Sequence, residues 1–327
     1  MAAAVRIQSD WAQVLRRNEA EVWLSCHSPG KPTLYGTLTC QGLGPDGVPE
    51  VTASEGFVVS EVTGKSIRIS CPKENASSRF LAPQATFPRI HTQSVTCLDV
   101  SCGGGLGVSA STDGTMKIWQ AANGEIRRVL EGHVFDVNCC RFFPSGLVVL
   151  SGGMDAQLKV WSVEDAKCAV TFKGHKGGER EVGTEAKLLL LAREDRKLQA
   201  VGLQSRQPVF LFEGSDAFNC CAFLSSIYVL AGTQDGKVYQ LDVRNSGTPV
   251  QVVRRSGAPV HSLLPYRDGF VTSHGDGSCF LTRQDLDHVV ELTGVDCDPV
   301  YQVAAWEKQM YTCCRDGLVR RYRLSDL

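Results

Sequence analysis

The chain has no long apolar run: its longest aliphatic stretch, Leu188 to Ala192, falls far short of the roughly 20 residues a membrane-spanning helix needs. Its first residues include Arg6, Asp10, Arg16 and Arg17 and no apolar core of signal-peptide length, so a soluble, intracellular protein is expected, in the cytoplasm with the nucleus also open. Charge bias is missing too. The 34 Lys and Arg nearly cancel 35 Asp and Glu, a net charge of −1, which favours neither nucleic acid, an anionic membrane nor a basic client. Cysteine is abundant at 14, yet no C-x-x-C occurs. The adjacent pairs Cys139–Cys140, Cys220–Cys221 and Cys313–Cys314 would point to opposite faces of a strand and make poor ligands for one metal, so buried reduced thiols are expected, with no metal or cofactor. Nor does a glycine-rich loop follow a strand and open a helix, as a phosphate cradle requires.

What is present is a repeat. SASTDGTMKIW around Asp113 returns as LSGGMDAQLKVW around Asp155, and the Asp recurs at Asp195, Asp235, Asp276 and Asp316, at intervals of 42, 40, 40, 41 and 40 residues. That period, with a Gly-His or similar pair upstream and a Trp downstream, predicts an all-β chain of four-stranded propeller blades. Two copies carry a full set of polar partners: His91, Ser109, Asp113 and Trp119, then His133, Ser151, Asp155 and Trp161. The Asp closes the turn between second and third strands, the His sits in the loop feeding the first, and Ser and Trp face each other across neighbouring strands. An Asp–His–Ser–Trp hydrogen-bond chain would satisfy buried groups whose loss would otherwise cost about 1–3 kcal/mol each. Later copies keep the turn but replace Trp by Leu241, Thr282 or Tyr322, so apolar packing should hold them more than the polar chain does.

The repeat absorbs residues 21–327 into one expected propeller domain after an amphipathic segment, 1–20, whose Ile7, Trp11, Val14 and Leu15 share a helical face. An unsigned blade at about 33–70 plus six marked ones gives an expected seven. After Asp316 the sequence has room for one strand and no fourth, so Glu21 to Cys26 is expected to close the ring against Leu318 to Tyr322. The fourth blade should be incomplete: Gly177, Gly178, Glu179, Arg180 and Glu181 stand where an apolar innermost strand belongs, and 176–187 should be irregular.

These markers resemble the WD40 repeat family, clearest over 88–175. RIQSDWAQVLRRNEAEVWLSCH, SDAFNCCAFLS and YTCCRDGLVRRYRLSDL resemble a narrower group of WD40 factors associated with proteasomal ATPases. That resemblance implies binding to ATPase subunits of the regulatory particle, a chaperone-like negative role in 26S proteasome assembly or activity, and association with a viral transactivator. It also implies that this is a shortened form, lacking a stretch between Gly178 and Glu179.

A rigid disc with wide loop surfaces and no catalytic set reads as a non-catalytic protein-binding adaptor, monomeric outside its complexes. A scaffold for another complex, an RNA-binding propeller resting on Arg320, Arg321 and Arg323, and an enzyme are the alternatives. His27, His261, His274 and His288 fall in separate segments without ligand spacing. The residues just before the marker Asp residues, Thr112, Met154, Glu194, Gln234, Gly275 and Arg315, should lie on one face with Phe135 and Phe218 from the His loops. Phe135, Met154, Phe218, Gln234 and Arg315 are the candidate partner contacts, with Phe135 and Met154 as apolar anchors.

Overall fold

Alternating strands punctuated by the marker turns build six antiparallel four-stranded units, five of them separate sheets and one part of a seven-stranded sheet, in a computed structural model. It describes residues 3–17, 20–173, 179–185, 188–202, 204–205, 207–245, 247–283 and 289–324, with backbone alone for the strand residues from 173 to 185. Sheet I comprises Val95–Val100, Leu106–Ser111, Met116–Gln120 and Ile126–Leu130; sheet II comprises Val137–Phe142, Val148–Gly153, Gln157–Ser162 and Cys168–Lys173. Sheet III follows with Glu179–Glu185, Leu188–Arg193, Lys197–Gly202 and Pro208–Glu213, and sheet IV with Phe218–Phe223, Tyr228–Thr233, Val238–Asp242 and Gln251–Val253. Sheet V holds Val260–Tyr266, Gly269–His274, Cys279–Arg283 and Val289–Leu292, and sheet VI holds Val300–Trp306, Gln309–Cys314, Val319–Arg323 and, from far upstream, Ala85–Phe87. Innermost strands neighbour one another in the order III, IV, V, VI, I, II, the arrangement of a β-propeller.

Every marker Asp precedes a left-handed residue that reverses the chain between second and third strands: Gly114 (φ 77°), Ala156 (54°), Arg196 (66°), Gly236 (81°), Gly277 (87°) and Gly317 (80°). Four of these are glycine, which reaches that region without steric penalty. The turn is therefore legible even where Ala or Arg replaces it.

Side chains alternate across each strand, so each sheet packs one face on the sheet before it and the other on the sheet after. Five junctions carry apolar cores: I–II, III–IV, IV–V, V–VI and VI–I. Between II and III no such core is found among the described residues. Two columns of the repeat show why. Five residues before the marker Asp, Val108, Leu190, Leu230, Val271 and Tyr311 are all 0% exposed, whereas Leu150 of sheet II is partly exposed. Six residues before it, Gly107, Val149, Val229, Phe270 and Met310 are buried, whereas Leu189 of sheet III is partly exposed. The two exceptions flank the same junction from opposite sides.

Three expectations about the ring and the N-terminal region are corrected first. Glu21–His27 does not close the ring: it pairs with Ala4–Ile7 on one side and Leu34–Leu43 on the other. Ala85–Phe87 closes it instead, Thr86 opposite Arg320, because this three-residue strand immediately precedes the first repeat and reaches the free edge of the last. The division expected at residue 20 does not fall there, since a separate core runs from Val5 to Ala82. Nor do residues 33–70 make a blade of their own. Pro49–Ala53 joins the sheet of Ala4–Ile7, while Val58–Ser60, Ser66–Cys71 and Ala76–Leu81 extend sheet V through a parallel pairing of Ala76–Leu81 with Val289–Leu292.

The N-terminal helix is one turn, Trp11–Val14, because Ile7 belongs to a strand; Trp11 is fully buried and its Nε1 donates to Thr293 Oγ1 at 2.9 Å, tying this region to sheet V. The fourth blade, sheet III, has all four strands: Glu179–Glu185 pairs with Leu188–Arg193, as main-chain ladders form regardless of side-chain polarity. Residues 176–178 and 186–187, also expected to be irregular, lie outside the described residues.

Candidate protein-interaction surface

The second repeat forms the whole polar chain. Trp161 Nε1 donates to Ser151 Oγ at 2.8 Å, Ser151 Oγ lies 2.7 Å from His133 Nε2, and His133 Nδ1 lies 2.9 Å from Asp155 Oδ2. With the Ser hydroxyl accepting from Trp, its own proton goes to Nε2, which leaves the imidazole proton on Nδ1, facing Asp155. Burial alone would raise the Asp155 carboxyl; the bonds from His133 and the Val134 and Gln157 amides outweigh it and hold it below its usual range.

The first repeat stops one link short. Trp119 and His91 meet Ser109 at 3.0 and 2.8 Å, but buried His91 Nδ1 has no partner. Asp113 is diverted: its Oδ1 accepts from the Thr115 amide at 2.9 Å and the Thr115 hydroxyl at 2.6 Å. Gln157 stands at the equivalent place in the second repeat and offers no hydroxyl. Burial, then the nearby Lys117 cation, pushes His91 down to about 4.

Two later repeats rebuild a polar link that the sequence reading missed. Ser215 Oγ donates to Asp235 Oδ2 at 2.8 Å and receives the Tyr239 hydroxyl at 3.0 Å; Ser256 Oγ donates to Asp276 Oδ2 at 2.6 Å. Both serines precede their Asp by 20 residues, a spacing that could have revealed them. Sheet VI uses Arg320, paired with Asp316 four residues earlier.

These networks set a rim. In five repeats the amide of the residue before the marker Asp donates to a carbonyl in the loop feeding the innermost strand: Thr112 to Ser94, Met154 to Asp136, Gln234 to Ala217, Gly275 to Pro259 and Arg315 to Pro299. Asp turn and His loop are thus clamped together. On sheet II the clamp brings Phe135 (59% exposed) and Met154 (66%) onto one surface, joined by Val134 (73%), which the sequence reading did not single out. An apolar cluster held on two mutually bonded loops has little mobility to lose on binding. Gln234 and Arg315 are exposed on the same rim, although Gln234 Oε1 already accepts from Asn219. Glu194 is exposed and Thr112 half-buried.

Phe218 is not on the rim. It is fully buried, packed against Phe212 and Tyr239 with ring centroids 6.4 and 5.9 Å away. It opens an innermost strand at the position of Val137, also fully buried, so the echo between FNCCAF and VNCCRF already placed it in the core.

Among the described residues, His274 is buried against Thr272 Oγ1, His27 lies beside Thr33, and no group of three or more His, Cys, Asp and Glu is placed to hold a metal ion; His175 and His288 lie outside the described residues. A cleft of about 900 Å³ beside Tyr266, Glu307 and Arg323 commits the Tyr266 hydroxyl to the Glu307 carbonyl.

The WD domain, G-beta repeat family matches residues 82–120 and 124–162. Across the whole chain the similarity is to proteasomal ATPase-associated factor 1 of Homo sapiens, 66% identical, and of Bos taurus, 65%, covering 100% of both partners in each comparison. A probable proteasomal ATPase-associated factor 1 of Dictyostelium discoideum is 27% identical over 97% of this chain and 95% of its own length. The alignment with the human protein spans 392 positions against 327 residues here, so 392 − 327 = 65 positions have no residue in this chain.

Proposed function

Because the chain belongs to the proteasomal ATPase-associated factor 1 family, we propose that it is a non-catalytic adaptor that binds ATPase subunits of the proteasome regulatory particle and restrains their assembly or activity. The observation that carries the binding mode is the exposed cluster of Val134, Phe135 and Met154 on one clamped pair of loops. Large apolar side chains are expensive to leave in water, and a tight group on a rigid rim is the signature of a docking surface. Gln234 and Arg315 add polar contacts around the same rim. A near-neutral chain has little long-range electrostatic pull, so affinity should come from this apolar centre and depend weakly on salt.

The kinship supports this choice of partner, and the exposed rim supports this mode of contact. Affinity capture from cell extract with the tagged full chain tests both, read by mass spectrometry. Recovery of regulatory-particle ATPase subunits, lost in Phe135→Asp/Met154→Asp, is expected; recovery unchanged by that double variant removes the rim assignment, and no recovery removes the partner.

A further inference from the structure

We propose that Cys97 and Cys140 are a modification site for peroxide, which joins them in a disulfide that ties the innermost strand of sheet I to that of sheet II. The two thiols face one another across the junction, with Cys97 Sγ 3.3 Å from Cys140 Sγ and each residue 1% exposed. A disulfide needs about 2.05 Å, so the sulfurs have only about 1.3 Å left to travel. Neighbouring bonds hold them in register. On one side the Thr96 hydroxyl donates to the Val137 carbonyl, and on the other the Phe142 amide donates to Asp99 Oδ2 at 2.8 Å, both across the same junction.

The strand period explains why these two sulfurs meet. Successive side chains alternate across a strand, so Cys139 and Cys140 point to opposite faces, and Cys140 is the one turned toward sheet I. The pair belongs to the apolar cluster of Val108, Ala110, Met116 and Val137, all fully buried. A sulfenic acid formed on either sulfur there has the other thiol as its contacting nucleophile.

The chemistry balances with peroxide as the oxidant. Hydrogen peroxide oxidises one thiol to a sulfenic acid and leaves one water; the second sulfur attacks the sulfenic sulfur, and the S–O bond breaks as the S–S bond forms. The departing hydroxyl takes the remaining thiol proton as a second water, and two electrons have passed from the sulfurs to the peroxide. Contact with Cys97, then burial, pushes the Cys140 thiol well above its ordinary value, so the closed junction keeps it protonated and slow to react. Reaction therefore waits for a brief opening between sheets I and II, and the bond once made opposes the next opening. It closes a loop across 43 residues and removes that freedom from the unfolded chain. Val137 opens the tethered strand just after Phe135, so the cross-link also anchors the base of the rim loop.

The test uses the full chain with its exposed cysteines alkylated first, then hydrogen peroxide at urea concentrations below the unfolding midpoint. Peptide mapping without reductant reads the linkage, and urea unfolding against the same chain before oxidation reads its effect. A Cys97–Cys140 bond is expected, forming about tenfold or more faster as urea loosens the junction, with the midpoint about 1 M higher and restored by dithiothreitol. Cys140→Ala should abolish the gain in midpoint; if that variant does not fold, the linkage map of the wild type decides alone. Both thiols still free after treatment, sulfinic acid on either, a Cys97–Cys140 bond that leaves the midpoint unmoved, or Cys97 bonded instead to Cys313, the buried thiol of sheet VI that also senses it, would each overturn the proposal.

Discussion

Replacing Asp155 by Ala should destabilise the protein far more than replacing Asp113, although the two occupy the same place in adjacent repeats. Asp155 accepts from His133 Nδ1 at 2.9 Å, the Gln157 amide at 3.2 Å and the Val134 amide at 3.3 Å. The His133 and Asp155 side chains are 1% and 4% exposed, so water cannot replace the lost acceptor at the imidazole. An orphaned buried donor costs about 1–3 kcal/mol, and the two loop amides, closer to solvent, add less; a total of about 2–3 kcal/mol follows for Asp155→Ala. Asp113 serves only Thr115, whose amide and hydroxyl lie at the surface turn, and His91 Nδ1 is already unpartnered, so Asp113→Ala should cost about 0.5–1 kcal/mol. Urea unfolding followed by tryptophan fluorescence measures both, with unchanged slope as the condition for comparing midpoints. Equal losses, or a larger loss for Asp113→Ala, would refute the reasoning from these hydrogen bonds.

Two further outcomes follow from the turns and from His91. A Cβ on Gly114 meets nothing closer than 3.7 Å, so Gly114→Ala should cost only the left-handed penalty of about 1 kcal/mol, while Gly236→Ala, whose Cβ would lie 2.7 Å from the Ser256 and Ala258 carbonyls, should cost clearly more; the order is read from urea midpoints. His91, held at about 4 against an ordinary 6.5, binds fewer protons folded than unfolded, so its contribution is full above pH 6.5 and declines as pH falls toward 4, by up to about 3 kcal/mol; His91→Asn should flatten the decline in urea midpoint between pH 7 and pH 4.5.

The marker spacing made the turns and both Trp-bearing repeats readable because each is fixed by residues close in sequence. Sequence could not show that Thr115 would divert Asp113, since that choice is between two nearby acceptor geometries. The closing strand was missed because Ala85–Phe87 is three residues long, between Pro83 and Pro88, and carries no repeat marker. Glu21–His27 looked the better candidate on length and pattern, but strand pairing is decided by which edges the tertiary structure leaves free. The rim was legible in Phe135 and Met154 because the repeat register places them in loops. Phe218 was misplaced by one residue of loop, which in a strand moves a side chain from solvent to core. Glu179–Glu185 shows the opposite error: its charge pattern argued against a strand whose backbone pairs nonetheless.

The adaptor role is tested most directly by titrating the purified chain with a purified regulatory-particle ATPase subunit, alongside Phe135→Asp/Met154→Asp. Loss of two exposed apolar anchors should weaken binding by about 2–4 kcal/mol, roughly 30-fold to 1,000-fold in Kd, with the urea midpoint unchanged because both side chains are already in water. Saturable binding of equal affinity by the wild type and the double variant would contradict the account of the rim, and absence of binding by the wild type would contradict the adaptor role itself.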